Sequence, residues 1–157
     1  MPIRHVLRAF LVTIAVALGA PFSAYGQVLA VATVEGTFTL RVNSTTWQPV
    51  PMGFQITAVE FTTTTDNERI VITYTATCLA GGFTVNVRAN VDGVIASPGV
   101  ANGVSLCLVP GTGGSSFPAS RTFSVVVPTK GPHKVTIEVR GPGAAVLLGE
   151  SALVIQR

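Results

Sequence analysis

The sequence predicts an all-β fold, a sandwich or barrel of short antiparallel strands. Three observations carry this. Phe83–Val91 alternates without a break: Phe83, Val85, Val87, Ala89 and Val91 are apolar, and Thr84, Asn86, Arg88 and Asn90 are polar. That is the period of a sheet with one dry and one wet face. Clusters of Gly, Pro, Asn and Asp punctuate the chain at Asn43-Ser44-Thr45, Asp66-Asn67, Gly81-Gly82, Asp92-Gly93, Thr129–His133 and Gly141-Pro142-Gly143, and these residue types make turns. Beyond the first 26 residues no apolar set repeats with the 3.6-residue period of a helix.

Those first residues are set apart. Arg4 and Arg8 make a basic start, Ala9–Ala20 is apolar but for Thr13 and Gly19, and Ala24-Tyr25-Gly26 places small residues at −3 and −1. This predicts a signal peptide, residues 1–26, cleaved after Gly26. The run is short of the roughly 20 apolar residues that span a bilayer, so no membrane insertion is expected after cleavage. The expected mature chain is one domain, residues 27–157, periplasmic or extracellular. Removing the leader takes Arg4 and Arg8 from ten basic residues, leaving eight against seven acidic, a net charge of +1. Such a balance disfavours nucleic-acid partners, which need concentrated Lys and Arg. Two cysteines in an exported chain predict one disulfide, Cys78–Cys107. Its loop of about 29 residues corresponds to roughly 3.6 kcal/mol in the chain-entropy account.

Taken in order, Gln27–Ala32 reads as a first strand or an N-terminal tail, and Val34–Val42 as a strand with Phe38, Leu40 and Val42 on one face. Asn43-Ser44-Thr45 reads as a turn and also matches a glycosylation sequon. Pro49 and Pro51 confine Trp47–Pro51 to an edge or loop. Phe54–Phe61 is a strand followed by four threonines, whose branched side chains favour extended backbone. Ile70–Cys78 alternates with Ile70, Ile72, Tyr74, Ala76 and Cys78 inward. After Phe83–Val91 come Val94–Ala96, Val104–Val109 and the flexible-looking loop Pro110–Ser116. Arg121–Val127 has Phe123, Val125 and Val127 inward; Thr129–His133 is a turn; Lys134–Arg140 has Val135, Ile137 and Val139 inward; Ala145–Ile155 closes the domain.

The last third, with Val125-Val126-Val127, Gly131-Pro132-His133, Val135–Val139 and Leu153-Val154-Ile155, together with Val91-Asp92-Gly93 upstream, resembles the jelly-roll domains of exported bacterial proteins. Its layout is similar to the tumour-necrosis-factor-like and C1q-like jelly rolls over Ile70–Ile155. The resemblance implies a jelly-roll-type antiparallel sandwich of about eight to ten strands and a habit of trimerising. It implies no activity.

Residue chemistry points away from catalysis. His133 is the single histidine beyond the leader, and in the Thr129–His133 turn it is expected to be solvated. Any Ser-His-Asp or Cys-His device would have to use it, and no supporting motif accompanies it. One histidine and two paired cysteines do not make a zinc site. Asp66, Asn67, Glu68 and Asp92 supply oxygens of the kind calcium takes, but they read better as solvated turn residues, and no cofactor is expected. Trp47 is the one candidate platform for a carbohydrate or other small ligand; Tyr74 alternates with Ile70 and Ile72 and belongs to the core. Val71, Val126, Val146 and Leu148 lie opposite the core sets and mark either a second side of a sheet or an oligomer interface, a trimer among the options. The sequence thus predicts a secreted non-enzymatic structural or protein-interaction module, with ligand binding at Trp47 as the alternative. Arg88, expected outward, is predicted to tolerate replacement by serine at under about 0.5 kcal/mol.

Overall fold

The computed structural model describes residues 26–34, 40–42, 45–52, 56–79, 84–100, 102–108, 116–141 and 146–157. The leader to residue 25, Asn43-Ser44, Phe83 and most of the Pro110–Ser116 loop lie outside the described residues, as do the side chains of Val146 and Leu148.

The regular elements of the described residues are all strands: β1 (Val28–Val34), β2 (Leu40–Val42), β3 (Gln48–Pro49), β4 (Val59–Thr63), β5 (Glu68–Leu79), β6 (Thr84–Val91), β7 (Val94–Ile95), β8 (Val104–Leu108), β9 (Ser116–Val127), β10 (Gly131–Arg140) and β11 (Val146–Gln156). Every pairing is antiparallel. One sheet, A, runs β1-β11-β5-β9, with β2 also on β11; the other, B, runs β3-β10-β6-β7, with β4 also on β10 and β8 also on β6. The eleven strands therefore fill eight positions. β1 and β2 share one edge of β11, β3 and β4 one edge of β10, and β7 and β8 one edge of β6. In chain order these eight positions give the interleaved two-sheet path of a jelly roll.

The alternation read from the sequence is what builds the two layers. β6 is buried at Val85, Val87, Ala89 and Val91 and half-exposed between them. Ile70, Ile72, Tyr74, Ala76 and Cys78 of β5 face them across the interior, joined by Phe123, Leu153 and Ile155 from sheet A and Val135, Ile137 and Val139 from sheet B. The disulfide Cys78–Cys107 is formed, with 6.0 Å between Cα atoms. It joins β5 in sheet A to β8 in sheet B, so the one covalent cross-link ties layer to layer.

β4 starts at Val59, so the described part of the expected Phe54–Phe61 strand before it, Ile56–Ala58, is not strand, and β1 runs on through Val34. Three further boundaries differ from the sequence reading, each for a physical reason. β9 starts at Ser116 rather than Arg121, because Phe117 and Ala119 continue the inward set opposite Cys78 and Ala76; Pro118 is tolerated since β9 is an edge strand. β10 starts at Gly131, inside the segment expected to turn. Pro132 sits in it beyond the last pair with β6, Val135–Val91, and so interrupts no ladder on that side. Of the four threonines, Thr62 and Thr63 extend β4, whereas Thr64 and Thr65 turn and donate their N–H groups to the Glu68 carboxylate at 2.9 and 3.2 Å. In β11, Gly149 and Glu150 oppose the single residue Thr77, a bulge between Leu148 and Ser151.

Candidate functional site

Two polar clusters stand out, one at the end of the sandwich near the β9–β10 connection and one on the outer face of sheet B.

The first is centred on His133. Placing β10's start at Gly131 puts His133 in phase with Val135 and Ile137, so its ring points inward and only 7% of the residue is exposed. The expectation of a solvated turn histidine is thereby corrected. Asp92 meets it from the β6–β7 turn, where Asp92 and Gly93 both have positive φ (49° and 91°), the geometry Asp-Gly adopts in a tight hairpin. His133 Nδ1 lies 2.7 Å from Asp92 Oδ2, and Nε2 lies 3.1 Å from Thr63 Oγ1 and 2.9 Å from the Thr129 carbonyl. Asp92 Oδ1 accepts the Lys134 N–H at 3.0 Å.

Carboxylate, imidazole and hydroxyl in a row is the order of a nucleophilic triad. The surroundings show what this row does instead. The Thr63 hydroxyl donates to the Thr129 carbonyl and accepts the Gly131 N–H, each at 3.1 Å, and Thr63 is 3% exposed. A hydroxyl so occupied and enclosed presents nothing to a substrate. The cluster fastens β4, the β6–β7 turn and the β9–β10 connection to one another. A cleft of about 170 Å³ opens beside it, walled by Val94, Val126, Val127 and Pro128.

The second cluster contains Trp47. The residue is half-buried, with the Arg88 guanidinium 4.3 Å and the Arg140 guanidinium 4.6 Å from its ring centre. Gly103, at φ 71°, closes against the ring edge; a Cβ there would run into Trp47 Cη2 and the Val87 carbonyl. Arg88 Nε donates to Glu138 Oε2 at 2.5 Å, directly across the β6–β10 ladder. Arg140 Nη2 donates to the backbone carbonyl and Oδ1 of Asn102 at 3.2 and 3.3 Å. A ligand stacking on Trp47 has therefore to share the ring with two guanidiniums. Arg88 faces away from the sandwich core as expected, yet it is 20% exposed and ion-paired, so the prediction that its loss is nearly free does not survive.

The oxygens considered for calcium are dispersed. Asp66 Oδ1 accepts the Lys130 N–H, Glu68 serves Thr64, Thr65 and Arg157, and Asp92 serves His133 and Lys134. Among the described residues no three His, Cys, Asp or Glu gather as a metal site would require. Tyr74 is fully buried, as the alternation implied; burial pushes its phenol well above the usual value, the Ser151 hydroxyl offsetting this only in part, and its oxygen finds no hydrogen bond of ordinary geometry among the described residues.

Sequence reasoning found Trp47 and both cysteines. It missed the partners of Trp47, because Arg88 and Arg140 are 41 and 93 residues away and meet it only through the β6–β10 pairing. One signal was present: Arg88 and Arg140 each occupy an outward position of an alternating strand.

No protein-family model matches the chain, and no curated protein matches it. Among solved structures it is similar to one titled "Structure of infectious bursal disease virus Gx strain", with a TM-score of 0.42 and 12% identity over 90% of this chain and 36% of that one. The chain spans about a third of that protein's length, and the fold assignment rests on the strand order alone.

Proposed function

We propose that this chain is an exported, non-enzymatic module that acts by contact, using the outer surface of sheet A, with a second copy of itself as the partner. One observation carries the reading, the contrast between the two outer faces. Sheet B turns out Lys134 paired with Glu60 at 3.2 Å, Arg88 paired with Glu138, and Arg140. Across sheet A the outward rows are Val31, Val154, Thr73 and Thr122, then Thr33, Ala152, Thr75 and Ser120, then Gln156, Val71 and Ser124. None is charged. Thr73 hydrogen-bonds Thr122 at 3.2 Å and Thr75 hydrogen-bonds Ser120 at 3.1 Å, so the hydroxyls are partly satisfied within the face. Depletion of charge marks the core of a contact surface.

The whole outer face is about 19 Å across, four strands at ~4.8 Å, and about 40 Å along the twelve-residue β5 and β9; its uncharged rows lie in the middle, with Arg69 beside Val126 toward one end and Glu150 toward the other. That is the scale of a standard interface, about 800 Å² per partner. A face whose middle rows carry no charge brings no like charges together at its centre when it meets its own copy. The inter-sheet disulfide is consistent with an oxidising compartment, which supports export. Sedimentation velocity of the oxidised chain from micromolar to millimolar concentration tests the reading. Reversible, concentration-dependent association is expected; a monomer over the whole range would overturn it.

A further inference from the structure

Arg140 is the arginine on sheet B that nothing answers. Arg88 is neutralised by Glu138 and Arg157 by Glu68 at 3.1 Å, whereas among the described residues no carboxylate lies within ion-pair distance of Arg140. Arg69 and Arg121 lack one too, but both are exposed, and Arg121 is spent on the carbonyls of Ser105 and Ser120. Arg140 is half-buried and held: one face of its guanidinium lies against Trp47, and Nη2 is fixed by both oxygens of Asn102. A cation that is placed but unpaired has lost rotamer freedom without gaining a counter-charge, which is how a binding group is pre-organised.

What it points into is a cleft of about 290 Å³ lined by Thr45, Thr84, Asn86, Arg140 and Gly141. Asn86 stands directly opposite Arg140 in the ladder, and Thr84 is two residues before it on the same outward face of β6. Gly141 contributes a wall without a side chain. Among the described residues the lining offers one guanidinium, two hydroxyls and one amide, and no acid. With Nη2 held by Asn102, Arg140 keeps Nε–H and the Nη1 hydrogens to give a carboxylate charge-assisted bonds. Threonine hydroxyls and an asparagine amide both donate and accept, which is what the hydroxyls of a sugar require. The volume is at the small end for ligand clefts.

We propose that this cleft binds a single acidic sugar residue, its carboxylate on Arg140 and its hydroxyls on Thr45, Thr84 and Asn86. Trp47 serves as the brace for Arg140, so the sugar need not stack on the indole. The inference goes beyond the contact reading above and stands or falls separately, since the cleft is on the opposite sheet.

Trp47 is the chain's single tryptophan, so its fluorescence reports on the brace. Glucuronate is titrated into the oxidised chain at low ionic strength, where charge-assisted contacts are least screened, with glucose and acetate as comparisons. Backbone amide shifts of Thr84 and Asn86 are followed in parallel, because they read the cleft even where a substitution alters the indole signal. Saturable binding of glucuronate is expected, with acetate at least tenfold weaker and glucose silent. Arg140→Gln should weaken glucuronate by at least tenfold while remaining folded by thermal melt. Arg140→Lys should bind several-fold more weakly than the native chain, and Arg69→Gln should bind as the native chain does. Glucose binding as well as glucuronate, acetate binding as tightly as glucuronate, full binding by Arg140→Gln, or no shift up to about 10 mM ligand, tenfold above a 1 mM Kd, would each overturn the proposal.

Discussion

Arg88 shows how far a side chain's role exceeds the face it lies on. An exposed arginine on a strand is worth little, because water screens its charge. Here the guanidinium is mostly covered, bonded to Glu138 and laid against Trp47. A partly desolvated ion pair adds to a cation–π contact. Arg88→Ser is expected to cost about 1–2 kcal/mol in urea melts, while Arg69→Ser, at an exposed position, stays within about 0.5 kcal/mol. Equal values for the two would remove the stack from the account. Glu68 supplies a pH-dependent counterpart. The Thr64 N–H foremost, then that of Thr65 and the Arg157 guanidinium, hold its carboxyl below the ordinary 4.5, against the opposing effect of burial. The folded state thus binds this proton less readily than the unfolded chain. Its contribution is present above pH 4.5 and is lost as pH falls through the lower folded value. Glu68→Gln should therefore flatten the acid limb of stability against pH, and an unchanged limb would contradict the assignment.

At the scale of the element, β6 is the strand whose facing matters most, since it pairs with β10 on one edge and with both β7 and β8 on the other. Val87 is fully buried at its centre. Val87→Asp is expected to unfold the domain, since an unpaired carboxylate in that position costs several kcal/mol against a total of about 5–15; a cooperative melt near the native midpoint would contradict the packing. The facing of β6, of β5 and of β10 from Val135 onward was legible in the sequence because a period of two leaves one assignment that buries no charge. The start of β10 was not, because Gly131-Pro132 carries the composition of a turn and the reason it is strand lies in Thr63 and Asp92, far away in the chain. His133 was misplaced with it. The arginine brace on Trp47 was hidden in the same way: each residue was assigned to the correct face, but which side chains become neighbours depends on a register that no local pattern encodes. The jelly-roll type was expected from a resemblance, and the order of strands in each sheet was not legible in the sequence at all, because it depends on pairings between distant segments.

At the scale of the molecule, the two sheets share one core and one cross-link but present unlike exteriors. Sheet B carries the ion pairs and the arginine cleft; sheet A carries rows of Thr, Ser, Val and Ala with Arg69 and Glu150 at opposite ends. Charge in the middle of the second face would keep copies apart at no cost to the fold, so middle rows left without it are the feature from which the contact reading grows. The most direct test places the same charge on each face in turn. Thr73→Lys, at the middle of β5, and Thr136→Lys, at the middle of β10, replace half-buried outward threonines in central strands of sheets A and B. Self-association of the two variants is measured by sedimentation beside the native chain, with thermal melts to show that both are folded. Like charges brought together across an interface cost several kcal/mol. The account predicts that Thr73→Lys weakens association by at least tenfold and that Thr136→Lys leaves it unchanged. Disruption by Thr136→Lys with native association of Thr73→Lys would contradict it.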